Sequence, residues 1–169
     1  VSAAFMGLYV DAQEIVFQDA SVFPLYGQIS DKTNNRYERL PSSLENVSRG
    51  DVWYLGRHSA GLFVRFRSNS TSIHLRWEST FNNTMNHMTD TGTKGLDLYT
   101  IHDGDWRYVC SARPTGKHNE CAVIRNMDPE YREYMLYLSL YDGVSSLEIG
   151  VDEGSYIGLP EIDRPSREK

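Results

Sequence analysis

The sequence has little of what would point to a membrane, a nucleic acid or a metal. It has no apolar stretch of roughly 18 residues, the length a helix needs to cross a bilayer. Its 17 lysines and arginines stand against 23 aspartates and glutamates, a formal net charge of −6. A clustered basic surface for nucleic acid or an anionic membrane is therefore not expected. The five histidines lack metal-site spacing and no phosphate-binding glycine pattern occurs, so we expect no metal and no cofactor.

Cysteine is also scarce, with two residues in the whole chain. Cys110 and Cys121 flank a turn-rich segment, and their spacing fits neither a paired zinc site nor a redox pair. A disulfide across a hairpin would suit this arrangement in an oxidising compartment and would contribute about 3 kcal/mol. Two free, half-buried thiols are the alternative.

Aromatic residues and alternating apolar residues are abundant. Aromatics make up 12% of the chain, with 11 tyrosines, which favours β structure. Strands are predicted at residues 51–55, 62–66, 73–77, 96–102, 106–110, 121–125, 133–141 and 146–151. Short strands at roughly 8–12-residue spacing predict an all-β fold, a jelly-roll-like β-sandwich of two antiparallel sheets, over residues 14–158.

Three turns predict how these strands pair. The turn at 68–71 predicts that 62–66 and 73–77 form a hairpin whose outer face carries arginines, including Arg65 and Arg76. Asp103-Gly104 has the composition of a type I′ turn and joins 96–102 to 106–110. The third turn, Asp142-Gly143, joins the last two strands.

The pentapeptide Gly95-Leu96-Asp97-Leu98-Tyr99 has the period of a half-buried strand and carries an aspartate between core leucines. Such a carboxylate needs a partner or open water. We expect Asp97 to form an ion pair with Arg76 or Arg65 across adjacent strands. The alternative is a ligand-binding or catalytic carboxylate, although no second acid or activated nucleophile accompanies it.

Other candidate residues lie in loops or at strand ends. Residues 79–94 form the longest irregular stretch and include His87 and Met88, so this segment is either a binding or docking loop or an ordinary surface loop. Trp53 and Trp106 could stack on sugar rings, whereas Trp77 shares the phase of core residues. Ser59 follows His58 in a segment close to a nucleophile elbow, but with one residue too many.

The pentapeptide and several other blocks together resemble a known family. Trp53, the run Ser59–Leu62, Arg76-Trp77, His87-Met88 and Thr91-Gly92 occur in the order seen in the N-terminal GxDLY β-sandwich domain of bacterial SGNH-type (GDSL-like) esterases. The likeness runs from about Asp51 to Tyr99 and more loosely to about Gly158. It implies that this segment holds no catalytic residue and that residues 159–169 lead to an SGNH hydrolase domain beyond residue 169.

The resemblance also implies a role and a location. It implies an exported protein, periplasmic or extracellular, whose catalytic domain removes acetyl groups from carbohydrates. Residues 1–13 are then either the end of a signal peptide or a first strand. The chain's partners would be the hydrolase domain and a possible carbohydrate ligand, contacted by His58, His87, Met88, Asp97, Tyr99, Trp53 and Trp106. An independent carbohydrate-binding module and an adhesive sandwich without an enzyme remain the alternatives.

Overall fold

The computed structural model describes residues 13–161, which form two antiparallel sheets packed face to face. The strands are β1 (Ile15–Asp19), β2 (Leu25–Tyr26), β3 (Phe63–Ser68), β4 (Ile73–Ser79), β5 (Leu96–His102), β6 (Asp105–Ala112), β7 (His118–Ile124), β8 (Arg132–Tyr137), β9 (Val144–Asp152) and β10 (Ile157–Gly158). The helices are α1 (Gly50–Gly56) and α2 (Asp90–Lys94), with 3-10 turns at Ala20–Val22 and Ser42–Leu44. The predicted all-β sandwich is confirmed.

Some predictions fall outside the described part of the chain. Residues 1–12, which hold nearly all of the predicted signal-peptide remnant or first strand, lie outside it, as does most of the predicted linker, residues 162–169. Within residues 13–161, no helix is both long enough and apolar enough to cross a membrane.

The two sheets differ in size. The four-stranded sheet has the order β1-β9-β4-β7, and the six-stranded sheet has the order β10-β3-β8-β5-β6, with β2 also paired to β3. Strands β10 and β2 share one edge of β3, where β10 pairs near Arg67 and β2 pairs near Val64. The core lies between the sheets because each strand turns alternate side chains inward.

The core is formed by apolar side chains from both sheets. On β4, Ile73, Leu75 and Trp77 are buried, as the alternation predicts, while His74 and Arg76 point outward. Other fully buried members of this cluster are Leu62, Val64, Phe66, Leu96, Leu98, Leu136 and Ile149. Burying each such side chain stabilises the sandwich by about 1.5–3 kcal/mol.

Two of the predicted pairings are wrong. Strands β3 and β4 exist where predicted, but β3 pairs with β8 and β4 pairs with β7 and β9, so they face each other across the core. Strands β8 and β9, predicted as the last hairpin, likewise belong to different sheets. Alternation marks the buried face of a strand without showing whether the next strand lies beside it or opposite it. The hairpin of β5 and β6 is confirmed, with positive φ at Asp103 and Gly104.

The predicted strand at 51–55 is also wrong, because this segment is helix α1. Its alternation of apolar residues is too short to distinguish a strand from two helical turns. Trp53 therefore lies on a helix and not in either sheet. Tyr54 Oη of the same helix donates to the Asn83 side chain at 2.9 Å, which ties α1 to the segment 79–94.

Candidate functional site

The pentapeptide lines a cleft of about 630 Å³ on the outer face of the six-stranded sheet. We call it the Asp97 cleft. Asp97 and Tyr99 of β5 and Met135 and Tyr137 of β8 belong to its lining, together with Thr91 of α2. The remaining lining residues are Gly61, Thr89, Gly92, Gly95, Trp106, Ser111, Leu138 and Leu140. The segment 79–94 and the pentapeptide, which are separate features of the sequence, thus meet in one site.

Glycine is required at position 95 because the backbone is crowded there. A Cβ atom at Gly95 would clash with the carbonyl oxygen of Thr91 and lie 2.8 Å from that of Ala112. The Gly95 N–H donates to the Thr91 carbonyl at 3.0 Å and closes the end of α2. The glycine therefore brings α2 directly against the start of β5, which places the helix beside Asp97.

Asp97 lies in a short hydrogen-bonded chain. Its Oδ1 accepts a hydrogen bond from Ser111 Oγ on β6 at 2.5 Å, and Ser111 Oγ lies 2.9 Å from Tyr108 Oη. The carboxylate is half-buried, so part of it can still receive a donor from a ligand. This chain of carboxylate, hydroxyl and phenol offers the donors and acceptors that a hydroxyl-rich ligand needs.

Tyr99 packs edge-on against two other tyrosines. Its ring centroid lies 5.6 Å from that of Tyr108 and 5.6 Å from that of Tyr137. Burial and the negative charge of Asp97 raise the pKa of Tyr99 above the ordinary tyrosine value. The rings present flat apolar surface next to the polar chain of Asp97.

Trp106 lies over a buried ion pair. Its ring covers the Arg65 guanidinium at 5.3 Å, and Arg65 lies 3.6 Å from Glu133 of β8. Arg65 and Glu133 are 3% and 6% exposed although both are on the outer face of the sheet. A covered charge pair of this kind is costly to break, so it holds Trp106 and β8 in place beside the cleft.

The segment 79–94 is more ordered than its sequence predicts. Asp142 accepts hydrogen bonds from the Phe81 and Asn83 amides at 2.9 and 2.6 Å. Lys94 is buried, and its Nζ donates to Asn82 Oδ1 at 2.6 Å and lies 3.2 Å from Asp90 Oδ2. These contacts fix both ends of the segment and the short helix that flanks the cleft.

His87 and Met88 are placed differently from each other. Met88 packs against Gly92, where an added Cβ would lie 2.9 Å from the Met88 side chain, so it supports the cleft lining from behind α2. His87 is exposed, and its Nδ1 lies 3.0 Å from the Asn86 side chain. Neither residue lines the cleft directly.

His58 and Trp53 are not brought to the cleft. His58 is 2% exposed and packs between the rings of Tyr54 and Phe81, at 4.9 and 5.5 Å. Burial lowers the pKa of His58, which makes it a neutral core imidazole. Trp53 lies on α1 and is partly buried. Both residues belong to the structure around α1.

The expected ion pair of Asp97 with Arg76 is wrong. Arg76 lies on the outer face of the four-stranded sheet, where Nε donates to Glu120 at 2.6 Å and the guanidinium stacks on Phe17 at 3.6 Å. Arg65 shares the six-stranded sheet with Asp97 but is paired with Glu133. The error follows from placing β3 and β4 in one hairpin. The partner that the structure shows for Asp97 is Ser111.

The two cysteines are free thiols in the structure, which therefore does not contain the predicted disulfide. Cys110 Sγ donates to the Val123 carbonyl at 2.9 Å. Burial, with a smaller contribution from neighbouring Cys121, raises the pKa of Cys110 to about 11. Burial likewise raises the pKa of Cys121, which lowers the fraction of each thiol that is in the reactive thiolate form at neutral pH.

Two partners in this region could not be identified from the sequence: Ser111, which lines the cleft, and Tyr108, whose hydroxyl lies 2.9 Å from Ser111 Oγ. A regular hairpin around Asp103-Gly104 would place Cys110 opposite Asp97. A bulge between Leu98 and Tyr99 shifts the register by one residue and brings Ser111 there instead. No local signal in the sequence marks this bulge. Tyr137 was missed because its neighbourhood depends on the pairing of β5 with β8.

The lining of the Asp97 cleft has the chemistry of a binding surface. Ser111 Oγ contacts a carboxylate and a phenol, and no imidazole is among the described residues that line the cleft. An activated serine needs a base within hydrogen-bonding reach. Aromatic faces beside a hydrogen-bonded carboxylate are typical of a binding surface.

Comparison with known proteins defines the family. Residues 15–157 match the family model described as GxDLY, the N-terminus of SGNH-hydrolase-type esterases, and the chain belongs to this family. The comparison with curated protein sequences finds no match. The family is thus established by its domain model together with the geometry of the pentapeptide.

Two solved structures share the fold. A protein from Bacteroides ovatus ATCC 8483 described as a GDSL-like lipase is 32% identical, with a TM-score of 0.83 over 88% of this chain and 44% of that one. The salicylyl-acyltransferase SsfX3 from a tetracycline biosynthetic pathway is 14% identical, with a TM-score of 0.60 over 90% of this chain and 43% of that one, which shows the fold alone. The chain spans less than half the length of either protein.

Proposed function

We propose that this chain is the non-catalytic N-terminal accessory domain of an exported SGNH-type esterase that deacetylates carbohydrates. It packs on the catalytic domain, and the Asp97 cleft forms one side of the substrate site. The observation that carries this proposal is the meeting of the family pentapeptide with the segment 79–94 in one cleft. The membership in a family defined as the N-terminus of such esterases supports it.

Carbohydrate is the substrate class that the cleft chemistry favours. A sugar ring offers hydroxyl groups for Asp97 and Ser111 and an apolar face for the rings of Tyr99 and Tyr137. A small ester without a sugar could not use these groups. The cleft should therefore affect selection between substrates and leave the ester chemistry to the catalytic domain.

The test uses the full polypeptide and two substrates. Asp97→Asn should lower kcat/KM for an acetylated oligosaccharide about tenfold, the equivalent of ~1.4 kcal/mol, because a charged acceptor is lost. Hydrolysis of p-nitrophenyl acetate, which does not reach the cleft, should stay unchanged. The matched control is Glu120→Gln, an exposed carboxylate on the outer face of the four-stranded sheet.

Equal losses on both substrates would show general damage and count against a role in substrate selection. Equal kcat/KM values of Asp97→Asn and the parent enzyme for the acetylated oligosaccharide would also count against a role in substrate selection. The 169-residue chain by itself should not hydrolyse p-nitrophenyl acetate, and clear turnover by it would overturn the non-catalytic assignment. Export is checked by finding the protein in the periplasm or the medium.

An independent carbohydrate-binding module is the second candidate. It is favoured by the same aromatic rings, with Trp106 beside Tyr99 and Tyr137 in the lining of one cleft. Such a module would bind soluble oligosaccharides as an isolated chain, measured by isothermal titration calorimetry. A domain whose cleft is completed by the catalytic domain should show no heat of binding alone.

A further inference from the structure

Five aromatic rings form a continuous row across the outer face of the six-stranded sheet. The row, which we call the aromatic row, consists of Tyr26, Phe63, Tyr137, Tyr99 and Tyr108. Successive ring centroids lie 5.2, 4.9, 5.6 and 5.6 Å apart. The row crosses strands β2, β3, β8, β5 and β6 in that order, so it spans the width of the sheet from the β2–β3 edge to β6.

These rings belong to the solvent side of the sheet and not to the core. On β3, for example, Val64 and Phe66 are buried in the core while Phe63 is only partly buried. Tyr108, at the β6 end, is 57% exposed. A contiguous aromatic surface of this kind is rare on a domain that has no partner, and aromatic residues are enriched where partners dock.

The chain leaves the described structure on this same face. Arg67 Nη1 forms an ion pair with Glu161, and the Glu161 amide donates to Glu133 Oε1 at 2.9 Å. Arg67 and Glu133 are both on the outer face of the six-stranded sheet, two positions along their strands from Arg65 and Met135. Glu161 is therefore held on the same face as the aromatic row, beside Arg67, which lies four residues along β3 from Phe63.

We infer that the aromatic row is the surface on which the catalytic domain of the same polypeptide docks, an inference that rests on the proposed function. The occupant is identified by the position of Glu161, the last described residue, which lies on this face. Its contact surface should provide apolar side chains for the rings and acceptors for the tyrosine hydroxyls. Docking here would also place the catalytic domain at the mouth of the Asp97 cleft, with the substrate held between the two domains, since Tyr99 and Tyr137 belong to both the row and the cleft.

A second apolar surface offers a direct comparison. Ile29, which is 80% exposed, lines a groove of about 480 Å³ together with Val52 and Leu55 of α1. Glu161, the last described residue, is held by Arg67 and Glu133 on the aromatic row's face, and neither of these residues lines the groove. The two surfaces therefore make opposite predictions about where the catalytic domain is bound.

Side-chain oxidation by hydroxyl radicals distinguishes the aromatic row from the Ile29 groove as the docking surface. In the 169-residue chain Tyr108 should be oxidised readily, and in the full polypeptide its oxidation should fall to the level of Tyr134, which is 1% exposed. Leu55 on α1, which is 47% exposed and lines the Ile29 groove, should stay reactive in both. Protection of Leu55 with full reactivity of Tyr108 would overturn the inference.

A matched pair of variants tests the same point in the full polypeptide by small-angle X-ray scattering. Tyr108→Asp should increase the radius of gyration because the domains separate, whereas Ile29→Asp should leave it unchanged. The reverse result would overturn the inference.

If Asp97→Asn alters substrate selection while Tyr108 stays reactive in the full polypeptide, the proposed function survives and the docking face is wrong. If Tyr108 is protected but Asp97→Asn has no effect, the docking face survives and the substrate role fails.

Discussion

At the scale of single residues, Asp152 is the most heavily hydrogen-bonded side chain described between residues 13 and 161. Its Oδ2 accepts from Ser70 Oγ, the Thr71 and Ser72 amides and Thr71 Oγ1, and its Oδ1 accepts from Ser72 Oγ at 2.6 Å. Burial opposes its ionisation, but these hydrogen bonds outweigh burial and lower the pKa of Asp152. The carboxylate thus holds the turn that carries the chain from β3 in one sheet to β4 in the other.

We expect Asp152→Asn to lower the free energy of unfolding at neutral pH by roughly 1–3 kcal/mol, because buried donors lose a charged acceptor. A lowered pKa in the folded state stabilises the fold above the pKa of the unfolded chain, and this contribution is lost as the pH falls through the folded-state value. The difference between parent and variant in urea titrations should therefore shrink below about pH 4. Asp105→Asn, at an exposed side chain, is the control and should have little effect.

Gly95 is the second residue whose identity the structure explains. Any side chain there meets two backbone carbonyls, those of Thr91 and Ala112, which cannot move aside as a side chain could. Gly95→Ala should cost about 1–3 kcal/mol in denaturant unfolding. Gly116→Ala is its control, since nothing lies within 4 Å of a Cβ atom there. A loss at Gly95 no greater than at Gly116 would show that α2 can shift away from β5.

Only some residues of the Asp97 cleft could be predicted from the sequence. Asp97, Tyr99 and Trp106 were predicted as candidate residues, and they do lie together in the cleft. The partner expected for Asp97 was wrong, because pairing with Ser111 depends on a register shift at which Val109 of β6 is left without a partner on β5. Charged residues find partners through the three-dimensional arrangement of strands, and a one-residue shift in register changes every such partner.

At the scale of elements, the segment 79–94 depends on one acid from elsewhere in the chain. Asp142 is fully buried and accepts from the amides of Phe81, Asn83 and Gly143. The long irregular stretch is therefore a fixed structure that holds α2 against the cleft. Its order could not be predicted, because the residue that fixes it lies some 60 positions further along the chain.

Asp142→Ala should therefore loosen this element more than the rest of the fold. We expect faster hydrogen exchange at the amides of residues 81–94, since the Phe81 and Asn83 amides lose their acceptor. Exchange in the core strands β4 and β9 should change far less. Uniformly faster exchange across the whole chain would contradict a local role for Asp142.

The pairing of strands marks the limit of sequence reasoning for elements. Every predicted strand after residue 60 exists, because the alternation of buried and exposed positions follows directly from the sequence. The β5–β6 hairpin was also predictable, because Asp103-Gly104 supports the required positive φ values. The turns at 68–71 and 142–143 instead carry the chain between sheets, and their composition is the same as that of a hairpin turn.

At the scale of the whole molecule, the sandwich has two kinds of aromatic residue on the same strand. On β3, Phe66 packs in the core against Phe23 and Tyr134, with ring centroids 5.9 and 5.0 Å away. Phe63 belongs to the aromatic row and faces outward. If the row is a docking surface, the two phenylalanines should differ in how their importance depends on the catalytic domain.

Phe66→Ala should cost about 3–5 kcal/mol in the isolated chain, the loss typical of a buried phenylalanine. Phe63→Ala should cost clearly less there, because its ring is only partly buried and borders solvent. In the full polypeptide the order of effects on domain association should reverse. Phe63→Ala should weaken the contact with the catalytic domain, measured as increased oxidation of Tyr108, whereas a Phe66 variant that still folds should keep Tyr108 protected. If Tyr108 stayed equally protected in the Phe63→Ala variant, the contact with the catalytic domain would not depend on the Phe63 ring of the aromatic row.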